Sequence, residues 1–290
     1  MTILITGAAG RTSGYVIRAI LQVTSFSESH IRLLVHSQDT IQQLRAHYPQ
    51  LPPSAIVTGD YLEASTLPPV FEGVDVVFYN APAFHPQETA MGIAVIDAAK
   101  AAGVKHFVYC SVLFPILTKL LNHKVKCRVE EYLIESRLNY TILEPTHFMQ
   151  NVDLKHVQET GLLPAEYSPD VLQGYLDLPD LAAVARTILL DPAPHNRARY
   201  ELVGQNCTFE DVAKEISKHT GKKIICTPIA REAIVSTVKY GQYAQEALDR
   251  MLYYYDTRGI PGNNNVLHWL LGHEPTTWAA LLRRDLKHNV

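Results

Sequence analysis

The first fifteen residues, Met1-Thr-Ile-Leu-Ile-Thr-Gly-Ala-Ala-Gly-Arg-Thr-Ser-Gly-Tyr15, constrain this chain more than any other stretch. The apolar run Ile3 to Ile5 reads as a buried strand. It breaks at Thr6-Gly7, glycines recur at Gly10 and Gly14, and Val16, Ile17, Ile20 and Leu21 then follow at helical spacing. Strand, glycine turn and helix in that order form the phosphate-binding start of a dinucleotide fold. Gly7 supplies a tight turn that side chains resist. Gly10 lets the backbone approach a pyrophosphate. The new helix points unpaired N–H groups and its positive dipole end at that anion. Ala9, Arg11 and Thr12 fall within the same expected contact.

The rhythm set there continues for about half the chain. Further strands are expected at 31–35, 54–58, 74–79, 106–111 and 140–143, the last stopped by Pro145. Helices are expected through His47, over 86–102 with Gly103 as a C-cap, and over 117–136. Strands alternating with helices imply a parallel sheet covered on both faces. Ligands of such sheets lie outside the C-terminal strand ends, here Thr6, His36, Gly59-Asp60, Asn80-Ala81, Ser111 and Pro145-Thr146.

Beyond residue 150 the pattern changes. Residues 161–177 read as irregular, 178–190 as a helix and 199–203 as a strand. A helix over 209–219 is capped by Thr208 and closed by Gly221. A strand follows at 223–226, then a mostly helical 231–255, a loop over 259–265 and a terminal helix over 276–286. This half is expected to be a mixed cap over the open end of the sheet, with some crossover between the halves.

Composition narrows the classes. The chain has 290 residues, 47% of them apolar, which is ample for a packed core. Its 26 basic and 29 acidic residues leave a net charge of −3, which argues against a nucleic-acid partner. No apolar run reaches membrane-spanning length, so no membrane partner is expected. The four cysteines show no CxxC spacing, and the thirteen histidines show no HExxH, so neither a disulfide framework nor a metal site is expected. These features together fit a cytoplasmic protein, monomeric or homodimeric.

The chain resembles the NmrA-like branch of the atypical short-chain dehydrogenases/reductases, with isoflavone-reductase-like enzymes as relatives. The glycine loop is one part of the match. Gly59-Asp60, the run Ala101 to Ser111, and Lys126-Cys-Arg-Val-Glu-Glu-Tyr-Leu-Ile-Glu-Ser136 are others. Asn139-Tyr-Thr-Ile-Leu-Glu-Pro145, Phe148-Met-Gln-Asn151, Asp177-Leu-Pro-Asp180 and the helix opening at Phe209 complete it. The resemblance implies a doubly wound Rossmann domain over 1–150 and a smaller mixed α/β substrate domain over 151–290. It also implies an NAD(P)H-dependent reductase of a small conjugated carbonyl, imine or quinone-like substrate, plausible in fungal-type secondary metabolism. Two other readings stay open: a cofactor-binding redox sensor without turnover, and a non-redox isomerase or cyclase on the same scaffold.

Two departures matter. The branch's commonest loop is GxxGxxG, but here Ser13 stands at the third position and the glycine comes at 14; either residue can take the helix–strand packing role. The parent superfamily's Tyr-xxx-Lys pair is absent, and Asn122 stands four residues before Lys126.

The resemblance assigns Lys126 to the nicotinamide ribose and to a developing oxyanion. The plainer alternative is a helix-surface pair with Glu130 at i+4. His123, nearly a turn earlier, is a candidate proton donor. Ser111 sits where the superfamily's carbonyl-orienting serine lies. For the cofactor, Val35-His36-Ser37-Gln38 offers no acid to a ribose 2′-OH, whereas Arg11, His36 and Ser37 suit a 2′-phosphate, so NADP(H) is favoured over NAD(H). Asp60 and Tyr61 are placed at the adenine side, and Asn80, Ala81 and Pro82 on the ribose and nicotinamide side. Ser111, Lys126, Pro145 and Phe148 complete the expected cofactor contacts. Phe84, His85, Leu113, Phe114, Thr146 and His147, all just past strand ends, are expected to form an apolar pocket for an aromatic or polycyclic molecule.

Overall fold

The computed structural model describes residues 1–238 and 240–286; Lys239 and the last four residues of the 151–290 region lie outside the described residues. In chain order, the first half carries β1 (Ile3–Ile5), α1 (Arg11–Leu21), β2 (Ile31–Val35), α2 (Gln38–His47), β3 (Ile56–Thr58) and α3 (Pro68–Phe71). It continues with β4 (Val76–Tyr79), α4 (Glu88–Ala101), β5 (His106–Cys110), α5 (Leu121–Glu135) and β6 (Tyr140–Pro145). The later part has β7 (His147–Phe148), α6 (Leu154–Thr160), β8 (Leu162–Ala165), β9 (Gln173–Leu176), α7 (Leu178–Leu190), β10 (Ala198–Leu202) and β11 (Gln205–Cys207). Last come α8 (Phe209–Thr220), β12 (Ile225–Pro228), α9 (Arg231–Val235), α10 (Gly241–Arg258), α11 (Asn265–Leu271) and α12 (Trp278–Asp285).

Seven parallel strands form the central sheet in the order β10-β6-β5-β4-β1-β2-β3. This is a doubly wound Rossmann-like α/β sheet, accompanied by a smaller mixed sheet, β11-β9-β7, and by the parallel pair β12-β8. The apolar runs are buried on both faces, as a parallel sheet requires. Ile3 and Ile5 pack into one core while Leu4 packs into the opposite one, and Leu33, Leu34 and Val35 alternate in the same way. A third core, around Phe209, Trp278 and Leu282, belongs to the later part of the chain.

Strand order reverses between β1 and β4, and that crevice is where a doubly wound sheet takes its ligand. Asn80 N–H donates to Thr6 Oγ1 across it at 2.9 Å. A network ties the later part to the glycine loop. Arg11 donates to Gln150 O at 2.8 Å and to Asn151 Oδ1. Gln150 Nε2 in turn donates to Asp177, a fully buried carboxylate that also receives Arg284 at 2.6 Å.

The structure corrects several expected elements. Residues 161–177 are not irregular: β8 and β9 lie within them, short strands whose Pro and Gly neighbours mask them. The third strand begins at Ile56, because Pro53–Ala55 is a 3₁₀ turn after Pro52. The helix expected from 117 starts at Leu121. β6 extends past Leu143 and ends on Pro145 itself, opposite Leu202 of β10, with the Pro145 carbonyl accepting from Leu113 N–H at 2.9 Å. The loop expected over 259–265 gives way to α11 at Asn265. Among the described residues, no helix is long and apolar enough to cross a membrane, and no group of three or more His, Cys, Asp or Glu could hold a metal.

Candidate active site

Gly7 has φ +55°, and a Cβ there would lie 2.9 Å from Asn80 O, so the turn and the neighbouring strand together demand glycine. Gly10 is the extended N-cap of α1. No side chain caps that helix and no acid stands in its first turn, so its leading N–H groups remain available to an anion. The third packing position falls to Ser13. It is fully buried, and its hydroxyl donates to Thr6 O at 2.9 Å, fastening α1 to β1. Gly14 faces the Tyr48 hydroxyl instead.

The adenine-side candidates divide. Tyr61 reaches the loop, its hydroxyl accepting from Gly7 N–H at 3.1 Å. Asp60 Oδ2 lies 3.8 Å from His36 Nδ1, and Asp60 Oδ1 accepts from Leu62 N–H. His36 is largely exposed, while Ser37 is occupied as the N-cap of α2. Ala9 is exposed and Thr12 half-buried at the start of α1; Ala81 and Pro82 follow Asn80 as half-buried loop residues.

A cavity of about 500 Å³ opens over the sheet ends between the two parts of the chain. Arg11, Lys126, Pro145 and Phe148 line it, as do Phe84, Leu113, Thr146 and His147. Two expected pocket residues do not. His85 accepts from Gln87 N–H through Nδ1 at 3.1 Å and sets its ring against Tyr240, which turns it out of the cavity wall. Phe114, at φ +54°, contributes its carbonyl to His123.

The three proposed catalytic residues separate as well. Ser111 is buried and donates to Glu130. Its hydroxyl is therefore committed behind the cavity wall and does not orient a ligand's carbonyl there. His123 is fully buried behind Tyr255. Its Nδ1 faces Phe114 O at 3.0 Å, so that nitrogen carries the hydrogen; Nε2 accepts from the Tyr255 hydroxyl at 2.9 Å. Burial pushes its pKa down to about 4. A neutral imidazole with both nitrogens engaged has no proton to offer the cavity, which argues against the donor role.

Lys126 alone of the three reaches the cavity. The i+4 pair with Glu130 does not form. Instead Lys126 Nζ lies 2.6 Å from Glu88 Oε1, across the α4/α5 contact. Local sequence makes this possible. A Cβ at Gly92 would lie 2.6 Å from Val129 Cγ2, so the glycine lets the two helices approach closely. Glu88 lies one turn before Gly92 and Lys126 nearly one turn before Val129, so their side chains meet. Glu130 is drawn to Arg199 at 3.1 Å, which also holds Glu144 at 2.8 Å. Burial raises both carboxyls, Glu144 to about 7.

The opposite wall is aromatic. His147 stacks on Tyr167 with ring centroids 5.3 Å apart and meets Tyr255 edge-on at 4.8 Å. Burial holds the imidazole neutral, its pKa pushed down to about 4, and neither ring nitrogen has a partner. Leu248, Met251 and Tyr255 of α10 close the cavity from the later part of the chain. Sequence reasoning missed Glu88, Tyr167 and this α10 face. An acid in a helix's first turn reads as a response to the dipole; only the sequel at Gly92 hinted at a close helix contact.

The family model of the NmrA-like family matches residues 1–278. The NAD(P)H azoreductase of Xenophilus azovorans is 29% identical over 239 residues, 79% of this chain and 78% of that protein. Quinone oxidoreductase 2 of Escherichia coli strain K12 is 26% identical over 284 residues, 96% of each chain. In fold, the chain is similar to the triphenylmethane reductase of Citrobacter sp. complexed with NADP(H): TM-score 0.81, 21% identity, 98% of this chain and 99% of that one.

Proposed function

The chain belongs to the NmrA-like family, and on that premise we propose that it is an NADP(H)-dependent oxidoreductase reducing a small conjugated carbonyl, imine or quinone-like molecule. The observation that carries this reading is a single one. Lys126 stands on the wall of a roomy, largely apolar cavity that opens at the C-terminal strand ends, a wall it shares with Arg11 of the glycine loop.

The residues present fit a dinucleotide. The glycine turn leaves no space for a Cβ at position 7, and the uncapped, acid-free start of α1 suits a pyrophosphate. Gly7, Gly10 and the first turn of α1 would hold that group, with Asn80 and Lys126 toward the nicotinamide ribose. The end of β2 offers no acid before Asp39, which favours a 2′-phosphate beside the exposed His36. When bound, the nicotinamide supplies a hydride. Lys126 keeps two N–H groups after serving Glu88, enough to orient a ribose hydroxyl and set positive charge beside a developing oxyanion. Phe84, Leu113 and Phe148 supply apolar walls that exclude water from a flat ligand. The named activities of the azoreductase and quinone oxidoreductase relatives support an aromatic substrate.

The test is titration with NADPH and NADH, followed by NADPH oxidation against a panel of quinones, enones, imines and azo compounds. NADPH should bind more tightly, by about tenfold for a charge-assisted contact, and at least one panel class should be turned over. Lys126→Met should abolish that turnover. Tight NADPH binding without oxidation across the panel would favour the sensor reading; no dinucleotide binding would overturn both.

A further inference from the structure

Arg11 occupies the first position of α1, directly after its N-cap Gly10. A cation there opposes the helix dipole, which favours negative charge at that end. The sequence offers one reason to keep it, a phosphate of the cofactor. The structure offers another. The guanidinium forks across two consecutive residues, donating to Gln150 O at 2.8 Å and to Asn151 Oδ1. A planar fork fits such a pair of acceptors, and the point charge of a lysine does not. Asn151 and Phe148 stand with Arg11 on the wall of the main cavity. They flank a single 3₁₀ turn, Met149–Asn151, closed by Val152 N–H donating to Met149 O at 3.1 Å.

The same turn is fastened from its other side. Gln150 Nε2 donates to Asp177 Oδ1 and Gln150 Oε1 accepts from Leu178 N–H at 3.0 Å, so both ends of the amide are bound to the start of α7. Asp177 is fully buried, and a buried carboxylate needs a countercharge. Arg284 of α12 supplies it through two nitrogens, at 2.6 and 3.2 Å. A continuous polar chain therefore runs from α12 through Asp177 and Gln150 to Arg11. Its two inner anchors are rigid: α1 and α7 share one core, with Ile17 and Ile20 on one helix and Leu181 and Ala185 on the other. The turn between Phe148 and Asn151 is held against that helix pair by side chains alone.

We propose that Arg11 and Arg284 are positioning residues for the substrate side of the cavity: together they set the turn that carries Phe148 and Asn151, and the Arg11 side chain is not a ligand of the cofactor's phosphates. This rests on the reading of the cavity as a reductase's substrate space. Arg284 lies off the cavity wall, yet its loss reaches the same place as the loss of Arg11, because each removes one end of a single chain. The Arg11 end is exposed to water and its bonds are correspondingly screened, so the effect of cutting it is moderate. The buried carboxylate of Asp177 gives the chain its fixed point. For the reaction, the consequence falls on the acceptor's KM and leaves the affinity for the dinucleotide largely in place.

The experiment is amide hydrogen exchange by mass spectrometry on the full chain, comparing wild type, Arg11→Met, Arg284→Ala and the double variant over residues 147–153. Methionine keeps the apolar stem of Arg11 and removes its donors. Each single variant should exchange about fivefold faster in this segment. The double variant should match the faster single one instead of reaching the product of about twenty-fivefold, because both changes cut one network. β4 and β5 should stay protected over the same seconds to minutes of labelling; exposure there marks general loosening and overturns the assignment. Unchanged exchange in either single variant, or multiplication in the double, overturns it as well. NADPH titration on the same samples supplies the other arm. Arg11→Met should weaken NADPH by less than about tenfold, the loss expected of a direct charge-assisted phosphate contact, and a larger loss refutes the assignment. If wild type binds no NADPH, the reductase reading falls, and the exchange data still decide the coupling.

Discussion

The α4/α5 crossing offers a test of how the site is built. An alanine Cβ at position 92 would lie 2.6 Å from Val129 Cγ2 and 2.8 Å from Cγ1, where ordinary contact begins at 3.4 Å. The shortfall is about 0.8 Å. Val129 cannot turn aside, since it is fully buried and its branched Cβ leaves one strongly preferred rotamer in a helix. Two terms then oppose each other. Alanine gains about 1 kcal/mol over glycine in helix propensity, and overpacking a core costs about 1–3 kcal/mol. Two methyl groups overlap at once, so the cost falls in the upper part of that range. Gly92→Ala should destabilise the chain by about 1–2 kcal/mol. Urea unfolding reads this directly. The control is Val129→Ala: in that background Gly92→Ala should become neutral or stabilising, a coupling of about 2 kcal/mol. A single Gly92→Ala variant that is more stable than wild type would refute the close-packing argument, and so would additive behaviour of the pair.

The titrating core gives a second forecast. His106, His123 and His147 are each pushed down to about 4 by burial. The unfolded chain, with histidine near 6.5, binds more protons between those values. Their stabilisation is complete above about pH 6.5 and fades as pH falls toward 4, at up to about 1.4 kcal/mol per pH unit for each. Glu144, raised to about 7 by burial and then by Glu130, runs the other way, since it favours the folded state as pH falls. Glu144→Gln should therefore steepen the acid loss seen by thermal melting; an unchanged profile contradicts this. Third, Arg284→Ala strands the buried Asp177 carboxylate. Arg284 is 41% exposed, which places the cost at the low end for a broken buried pair, about 2 kcal/mol. Chemical denaturation measures it, and no loss would show the bridge to be ornamental.

The sheet was legible because its strands are apolar runs broken by glycine, aspartate and proline at regular intervals, a local signal. β8 and β9 were not. Their partners, β12 for β8 and β11 and β7 for β9, lie far off in sequence, and segments such as Gln173-Gly-Tyr-Leu176 have no apolar alternation of their own. The cavity divides the same way. Thr146 and His147 lie just past a strand end and could be placed by topology, whereas Lys126, inside α5, was placed by the family resemblance. Glu88 becomes a wall residue only through a partner 38 residues away, and Tyr255 only because α10 folds back onto α5. His123 read as a candidate proton donor because its position on the helix says nothing of Tyr255 arriving to cover it.

One strand has a consequence for how the chain is made. β10 comes from residues 198–202, yet it pairs with β6 from Thr141 to Pro145, on the side where the central sheet would otherwise end. While a ribosome is still making residues 146–197, β6 therefore stands with an open row of hydrogen-bonding groups and a half-covered neighbour. The first half's sheet edge cannot close before the later part has begun to emerge. A protein cut at residue 150 would be left with an edge suited to joining another copy of itself. The two halves share the cavity, and through β10 they are equally inseparable in the order in which the molecule comes into being.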